Sequence, residues 1–269
     1  MKIVLSRKGF DNSNGGCASP ILPDGTLLSL PIPCDSDNDS YAQLESNKIN
    51  YKELLKDLNP SASYNKCHLD PDIRPNTRNN MPQDWKPAFG QTGSAQGLLR
   101  NAGVSVGDIF LFFGWFRKVT DISGRYEYLD KKSGDFYDHS NLQVVYGYMQ
   151  VGKILTTPEE ISEYYWHPHA NKEVYKSKNN ALYIPTEKLS LIPSLKGYGT
   201  LSYNKKRVLT KKDCTRAVWN EYDFLLPEHI YGKKKNSSKK GLYYAGIWQE
   251  LVIKEESPEL IDWVKQIIC

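Results

Sequence analysis

The chain has 269 residues, 39% of them hydrophobic, 25% charged and 12% aromatic, with a formal net charge of +4. This balance fits a globular chain with material for a sizeable core and excludes a fibrous or disordered one. So small a net charge does not by itself demand a polyanionic partner, so any nucleic-acid surface must come from local runs.

The five cysteines, Cys17, Cys34, Cys67, Cys214 and Cys269, are odd in number and widely spaced, with no C-x-x-C pair. No disulfide framework or zinc site of the usual spacing is expected, and a reducing cytoplasm is the predicted location. The start, MKIVLSRKGF, lacks the long apolar segment of a signal peptide. No apolar run approaches the length of about 18 residues that a membrane span needs, so no membrane partner is expected.

Residues 3–5 read as a short buried strand. It runs into a polar, glycine-rich loop of Ser6, Arg7, Lys8, Gly9 and Asp11, followed by NSNGG over 12–16. A strand fixes the position of such a loop, and Gly15 and Gly16 let backbone N–H groups approach a ligand. Arg7 and Lys8 are placed to hold an anion, and Asp11 to take a proton or orient a hydroxyl. The plainer alternative is a solvated hairpin loop returning into residues 27–32. Neither a P-loop lysine motif nor G-x-G-x-x-G is present, and no cofactor is predicted. DSDNDS over 35–40 is an acidic turn that lacks the glycine and distal glutamate of a calcium loop. Leu54, Leu55 and Leu58 before Pro60 predict a helix over 50–58.

In YNKCHLDPDIR, residues 64–74, His68, Asp70, Asp72 and Arg74 alternate with Leu69, Pro71 and Ile73. In an extended segment that period sends all four polar groups to one side. Proline restricts the preceding Asp70 to extended backbone, in keeping with that reading. His68, Asp70 and Asp72 are therefore acid/base candidates, a weak metal set being the other use; a surface turn with Arg74 paired to Asp70 is the plain one. Residues 75–97 form a long loop that Trp85 and Phe89 pin to the core, with Gln91 a hydrogen-bonding candidate. A short helix follows over 95–101.

The nearly continuous apolar strand over 109–119 contains Trp115 and Arg117. A hairpin return at 124–129 and a second long strand at 142–154 follow. Gly114 and Gly147 interrupt these strands, as bulges or close backbone approaches do in small barrels. This layout resembles PUA-like barrels such as the EVE and ASCH domains, which bind nucleic acid or modified bases. Thr157 and Pro158 open a helix that leads into Trp166-His167-Pro168-His169. His167 and His169 are binding candidates. Because further ligands lie far away in sequence, no metal is predicted. Strands are expected over 180–185 and 243–254, a hairpin over 197–209, and a helix over 257–268 opened by Ser257-Pro258. Basic runs at 205–212 and 233–240, the first beside Tyr203, carry the footprint of nucleic-acid binding, or of solvated loops.

The blocks IVLSRKGFD, SPI, CHLDPDIR, WKPAFGQ, AQGLLRNAGVSVGDIFLFFGWFR, VVYGYMQVGKI, WHPHA, NNALYI and WQELVI together resemble the third of the nucleotide-modification-associated domain families, found in bacteria and phages. The resemblance runs from residue 1 to about 253. It implies an α+β fold and a setting in DNA base modification, without a set of catalytic residues.

The expected fold is α+β, with a mixed or antiparallel β core of which a PUA-like barrel is one form, peripheral helices and long ordered loops, in one domain over 1–269. The expected partner is a nucleotide or DNA. As an enzyme, the chain would use Asp11 and His68 for proton transfer, with Asp70 or Asp72 as orienter. Arg7, Lys8 and Arg74 would hold phosphate, and Trp115 or Trp166 would stack a base. No motif fixes a reaction. A non-catalytic reader of modified DNA and an interaction scaffold are the alternatives.

Overall fold

The computed structural model describes residues 1–130, 134–176, 179–233, 242–244, 246 and 248–269. Its strongest elements come from the long apolar runs. Among the described residues, nine strands form one mixed sheet: β1 (Ile3–Arg7), β2 (Ser19–Ile21), β3 (Phe89–Gln91), β4 (Ile109–Ile122), β5 (Arg125–Tyr128), β6 (Leu142–Leu155), β7 (Ala181–Pro185), β8 (Tyr198–Thr200) and β9 (Glu250–Ile253). The order is β9-β1-β4-β6-β7-β3, with β8 paired to β6, and β2 and β5 to β4. β1 runs parallel to β4, Ile3 opposite Ile109, and antiparallel to β9, Ile3 opposite Ile253. β4 and β6 are antiparallel, and their register slips between Val145 and Gly147, a bulge at the expected glycine.

The sheet curls until its two end strands meet. The Gln91 amide on β3 donates to Glu250 Oε1 on β9 at 2.6 Å. Side chains, not a backbone ladder, join these ends.

Alternation along the strands divides the core between two faces. Ile3, Leu5, Ile109, Leu111 and Phe113 belong with Trp219, Phe224 and the apolar stripe of a C-terminal helix. Val4, Phe110, Phe112 and Phe116 belong with Phe89, Leu99, Val144 and Tyr183. Each fully buried side chain of this size contributes about 1.5–3 kcal/mol of transfer free energy.

Helices cover the sheet: α1 (Tyr51–Leu58), α2 (Gly93–Asn101), α3 (Phe136–His139), α4 (Pro158–Ser162) and α5 (Pro258–Ile268). Asn50 caps α1 by accepting from the Lys52 and Glu53 amides, and Ser257 Oγ caps α5 by accepting from the Leu260 amide. Leu54 and Leu55 of α1 close a third cluster with Phe10, Leu28, Leu30 and Tyr41.

Three expectations change. Phe89–Gln91 is a strand and α2 begins at Gly93, so the long loop ends earlier. Residues 197–209 are not a hairpin: β8 adds to β6, and Lys205–Arg207 is a single 3-10 turn. The reason is Arg207, which is buried and donates to the Ile267 and Ile268 carbonyls at the end of α5. The last strand shortens to Glu250–Ile253. Of the basic run at 233–240, Lys233 lies over the Trp248 ring, and the remainder falls outside the described residues. Among the described residues, no helix is long and apolar enough to cross a membrane.

Candidate functional site

β1 delivers its last residues to the place where the sheet ends meet. Ser6, opposite Glu250 in register, donates its hydroxyl to Glu250 Oε1 at 2.9 Å. Just past the end of β1, Lys8 Nζ stands 3.3 Å from Asp70 Oδ2 and 3.8 Å from Glu250 Oε1. It also lies 4.1 Å over the Phe89 ring. Burial pushes the Glu250 carboxyl up to about 7, against the pull of Lys8 and the hydrogen bonds from Ser6 and Gln91.

Three further side chains converge beside Lys8. A short pairing of Ile32–Pro33 with Cys67–His68 sets His68 in place. Its Nδ1 lies 2.6 Å from Asp37 Oδ2. A carboxylate can only accept, so Nδ1 carries a hydrogen and Nε2 is the ring nitrogen left over for another partner. Asp70 Oδ1 accepts from the Gly90 amide at 2.6 Å, with His167 Nε2 at 3.4 Å. Burial opposes ionisation of Asp70, yet Lys8 and His167 hold it well below the usual carboxylate range. His169 Nδ1 lies 2.6 Å from Asn180 Oδ1, while Asn180 Nδ2 donates to the His169 carbonyl at 2.9 Å. The second contact fixes the amide's orientation, so His169 also keeps its hydrogen on Nδ1. Burial pulls the His169 pKa down to about 3, leaving a neutral ring stacked on Tyr175 at 4.4 Å. Gly90 is required here because a Cβ would come within 2.3 Å of the His169 ring.

His68, Asp70 and His169 line a cavity of about 260 Å³ together with Arg7, Lys8, Asp11, Gln91 and Tyr175. A second cavity of about 690 Å³ shares Arg7, Asp11 and Asn14 with it and carries Trp115, Tyr243, Tyr244 and Arg216. The Arg216 guanidinium lies 3.8 Å over the Trp115 ring. A polar, ionisable chamber therefore adjoins a larger aromatic one.

The structure separates the expected site residues into groups. Arg7, Lys8, Asp11, His68, Asp70, Gln91 and His169 share the smaller cavity, and Trp115 lines the larger. Asp11, on the wall of the smaller cavity, is held by its own loop. Its Oδ2 accepts from Arg7 at 2.5 Å, and its Oδ1 accepts from the Ser13 and Asn14 amides. Against its burial, these contacts lower its pKa, and they brace the loop. Gly15 and Gly16 take positive φ in the turn behind it, Gly15 against Phe10, and neither lines the cavity.

The alternation expected through residue 74 fails because the strand ends at His68. Asp72 turns into a buried pair with Arg78 at 2.6 Å and accepts from Trp85 Nε1 at 3.0 Å. Arg74 donates to the Leu27 carbonyl and Arg117 to the Leu129 carbonyl. Trp166 packs against Tyr164 and Tyr165, outside both cavities. His167 stands behind Asp70 and does not pair with His169 as a second ligand.

Asp37, Asn180, Tyr175, Arg216 and Glu250 were not legible as site residues. Glu250 alone left a trace, as one acid within the apolar strand ELVI. Asp37 sits in an acidic turn that reads as solvated, yet it is 1% exposed.

A family model described as nucleotide modification associated domain 3 matches residues 2–254. No curated protein and no solved structure compared with the chain matches it. The match spans nearly the whole sequence and agrees with the blocks that built the cavity, CHLDPDIR and WHPHA among them, so the chain belongs to the nucleotide modification associated domain 3 family.

Proposed function

We propose that this chain binds and processes a nucleotide, free or within DNA, with the reacting part in the His68 cavity and the base in the aromatic chamber. The observation that carries this reading is the joining of the two spaces at Arg7, Asp11 and Asn14. Arg7 and Arg216 suit a phosphate, Trp115 and Tyr244 suit stacking, and His68 and Lys8 offer proton donors and acceptors. Family membership supports the setting of nucleotide modification.

The finer architecture in this reading is a PUA-like barrel whose seam is the Gln91–Glu250 contact, in one domain over 1–269. Five free cysteines fit a reducing cytoplasm. A non-catalytic reader of modified DNA is the second reading, supported by the aromatic chamber with Arg216 on its wall.

Mass spectrometry of the purified chain with modified DNA, unmodified DNA and a nucleotide pool tests both. The expected result is a new product that His68→Gln abolishes. A retained nucleotide without product favours the reader. No product and no retained nucleotide refutes both.

A further inference from the structure

We propose that His68, Asp70 and His169 form a binding site for one divalent transition-metal ion. The inference deepens the reading of the His68 cavity as a reaction centre and rests on it only for what the ion acts on. The one ligand atom that each residue offers lies within 4.8 Å of the other two. An ion with bonds of about 2.1 Å draws such a set together.

The surroundings are those a metal site needs. Metal-bound imidazoles donate their other N–H to a carboxylate or carbonyl, which fixes the ring and raises its basicity. His68 does so to Asp37 and His169 to Asn180, which commits Nδ1 of each ring and leaves Nε2 as its ligand atom. Asp70 is held from behind by the Gly90 amide and His167. Gly90 lets the His169 ring lie against β3.

Two imidazoles and one carboxylate select zinc, iron or cobalt over calcium or magnesium, which prefer all-oxygen shells. Three protein ligands leave positions open for substrate or water, as in catalytic sites, whereas structural zinc is closed by four. Lys8 is the cation already beside Asp70, and Glu250 offers it a second partner when an ion arrives. The sequence predicts no metal because these ligands are spread over a hundred residues. The structure brings them together through the short pairing at Cys67–His68 and the Pro168–Ala170 turn.

The test uses the untagged full chain, stripped with chelator and titrated with Zn²⁺ by calorimetry and with Co²⁺ by visible absorption. The expected result is one ion per chain and a cobalt d–d spectrum. His68→Gln and His169→Gln should each weaken uptake at least a hundredfold, and Asp37→Asn and Asn180→Ala about ten- to a hundredfold. His139→Gln, at a ring that is neither in the ligand cluster nor on the cavity wall, should leave uptake unchanged. Absence of saturable one-to-one uptake by the wild-type chain overturns the proposal, whether or not the variants fold. So does equal uptake by a folded His68→Gln/His169→Gln double variant. Nucleotide retention by the chelator-treated chain, measured in parallel, tests the functional reading separately. Retention without ion uptake sinks the metal and leaves the nucleotide; ion uptake with neither retention nor product sinks the nucleotide and leaves the metal.

Discussion

Replacing Arg78 by methionine tests whether the Asp72 segment is an anchor or part of the chemistry. Arg78 is 8% exposed and Asp72 1%. Its guanidinium donates to Asp72 Oδ2 at 2.6 Å and to both Asp39 oxygens at 2.7 and 2.8 Å. It thereby ties the acidic turn at 35–40 to the segment after His68. Burial opposes the charge on Arg78, but Asp72 and Asp39 overcome it and raise its pKa. Arg78→Met leaves Asp72 buried without its cation, and burial already pushes that carboxyl up. Removing one partner of a buried pair costs about 3–5 kcal/mol. Against a total stability of about 5–15 kcal/mol, this is a large fraction. At this chain length it corresponds to a fall in Tm on the order of 10 °C. Urea and thermal unfolding at pH 7 measure it, and the Arg78→Met/Asp72→Leu double variant should recover part of the loss. A shift of less than about 0.5 kcal/mol in Arg78→Met would refute the anchor assignment. So would a soluble Asp72→Asn chain of wild-type stability that lacks the product of the nucleotide assay.

Glu250→Gln should change the pH dependence of stability. The folded carboxyl titrates at about 7, above its ordinary 4.5. The folded state therefore holds the proton more tightly, and stability falls as pH rises from about 4.5 to 7. The full effect is roughly 3 kcal/mol. Denaturant unfolding at pH 5 and pH 8 should show this decline in the wild type and lose it in Glu250→Gln; identical profiles would contradict it. Gly90→Ala drives a methyl group into the His169 ring and should cost about 1–3 kcal/mol. It should also lose product in the nucleotide assay, and a variant with wild-type melting and wild-type product would dismiss the close approach.

Strong periodic stretches were legible in the sequence. The runs that became β4 and β6, the α1 pattern and the Ser257-Pro258 start of α5 all express local rules of alternation, helical spacing and capping. His68 and Asp70 stood out in the sequence because they alternate with Leu69 and Pro71, and both line the smaller cavity. What could not be read was partnership across the chain. Asp37 belongs to His68 and Asn180 to His169 through contacts that no local pattern encodes. Asp72 departs from the expected alternation because that rule holds only within a strand, and this one is two residues long. Arg207 looks like part of a basic surface and is a buried cap, since charge in a sequence says nothing about what the folded chain lays over it.

The pairing of β1 with β9 also sets the order of events during synthesis. Ser6 and Glu250 are 244 positions apart. The strand at the start of the chain therefore leaves the ribosome long before its outer neighbour exists. Until residue 253 emerges, that edge of β1 offers unpaired amides and carbonyls to any passing strand. Folding with such distant contacts is slow, and the nascent chain is most exposed to aggregation in that interval. A chaperone that shields the first strand should therefore raise the yield of this protein more than one that acts on the finished chain.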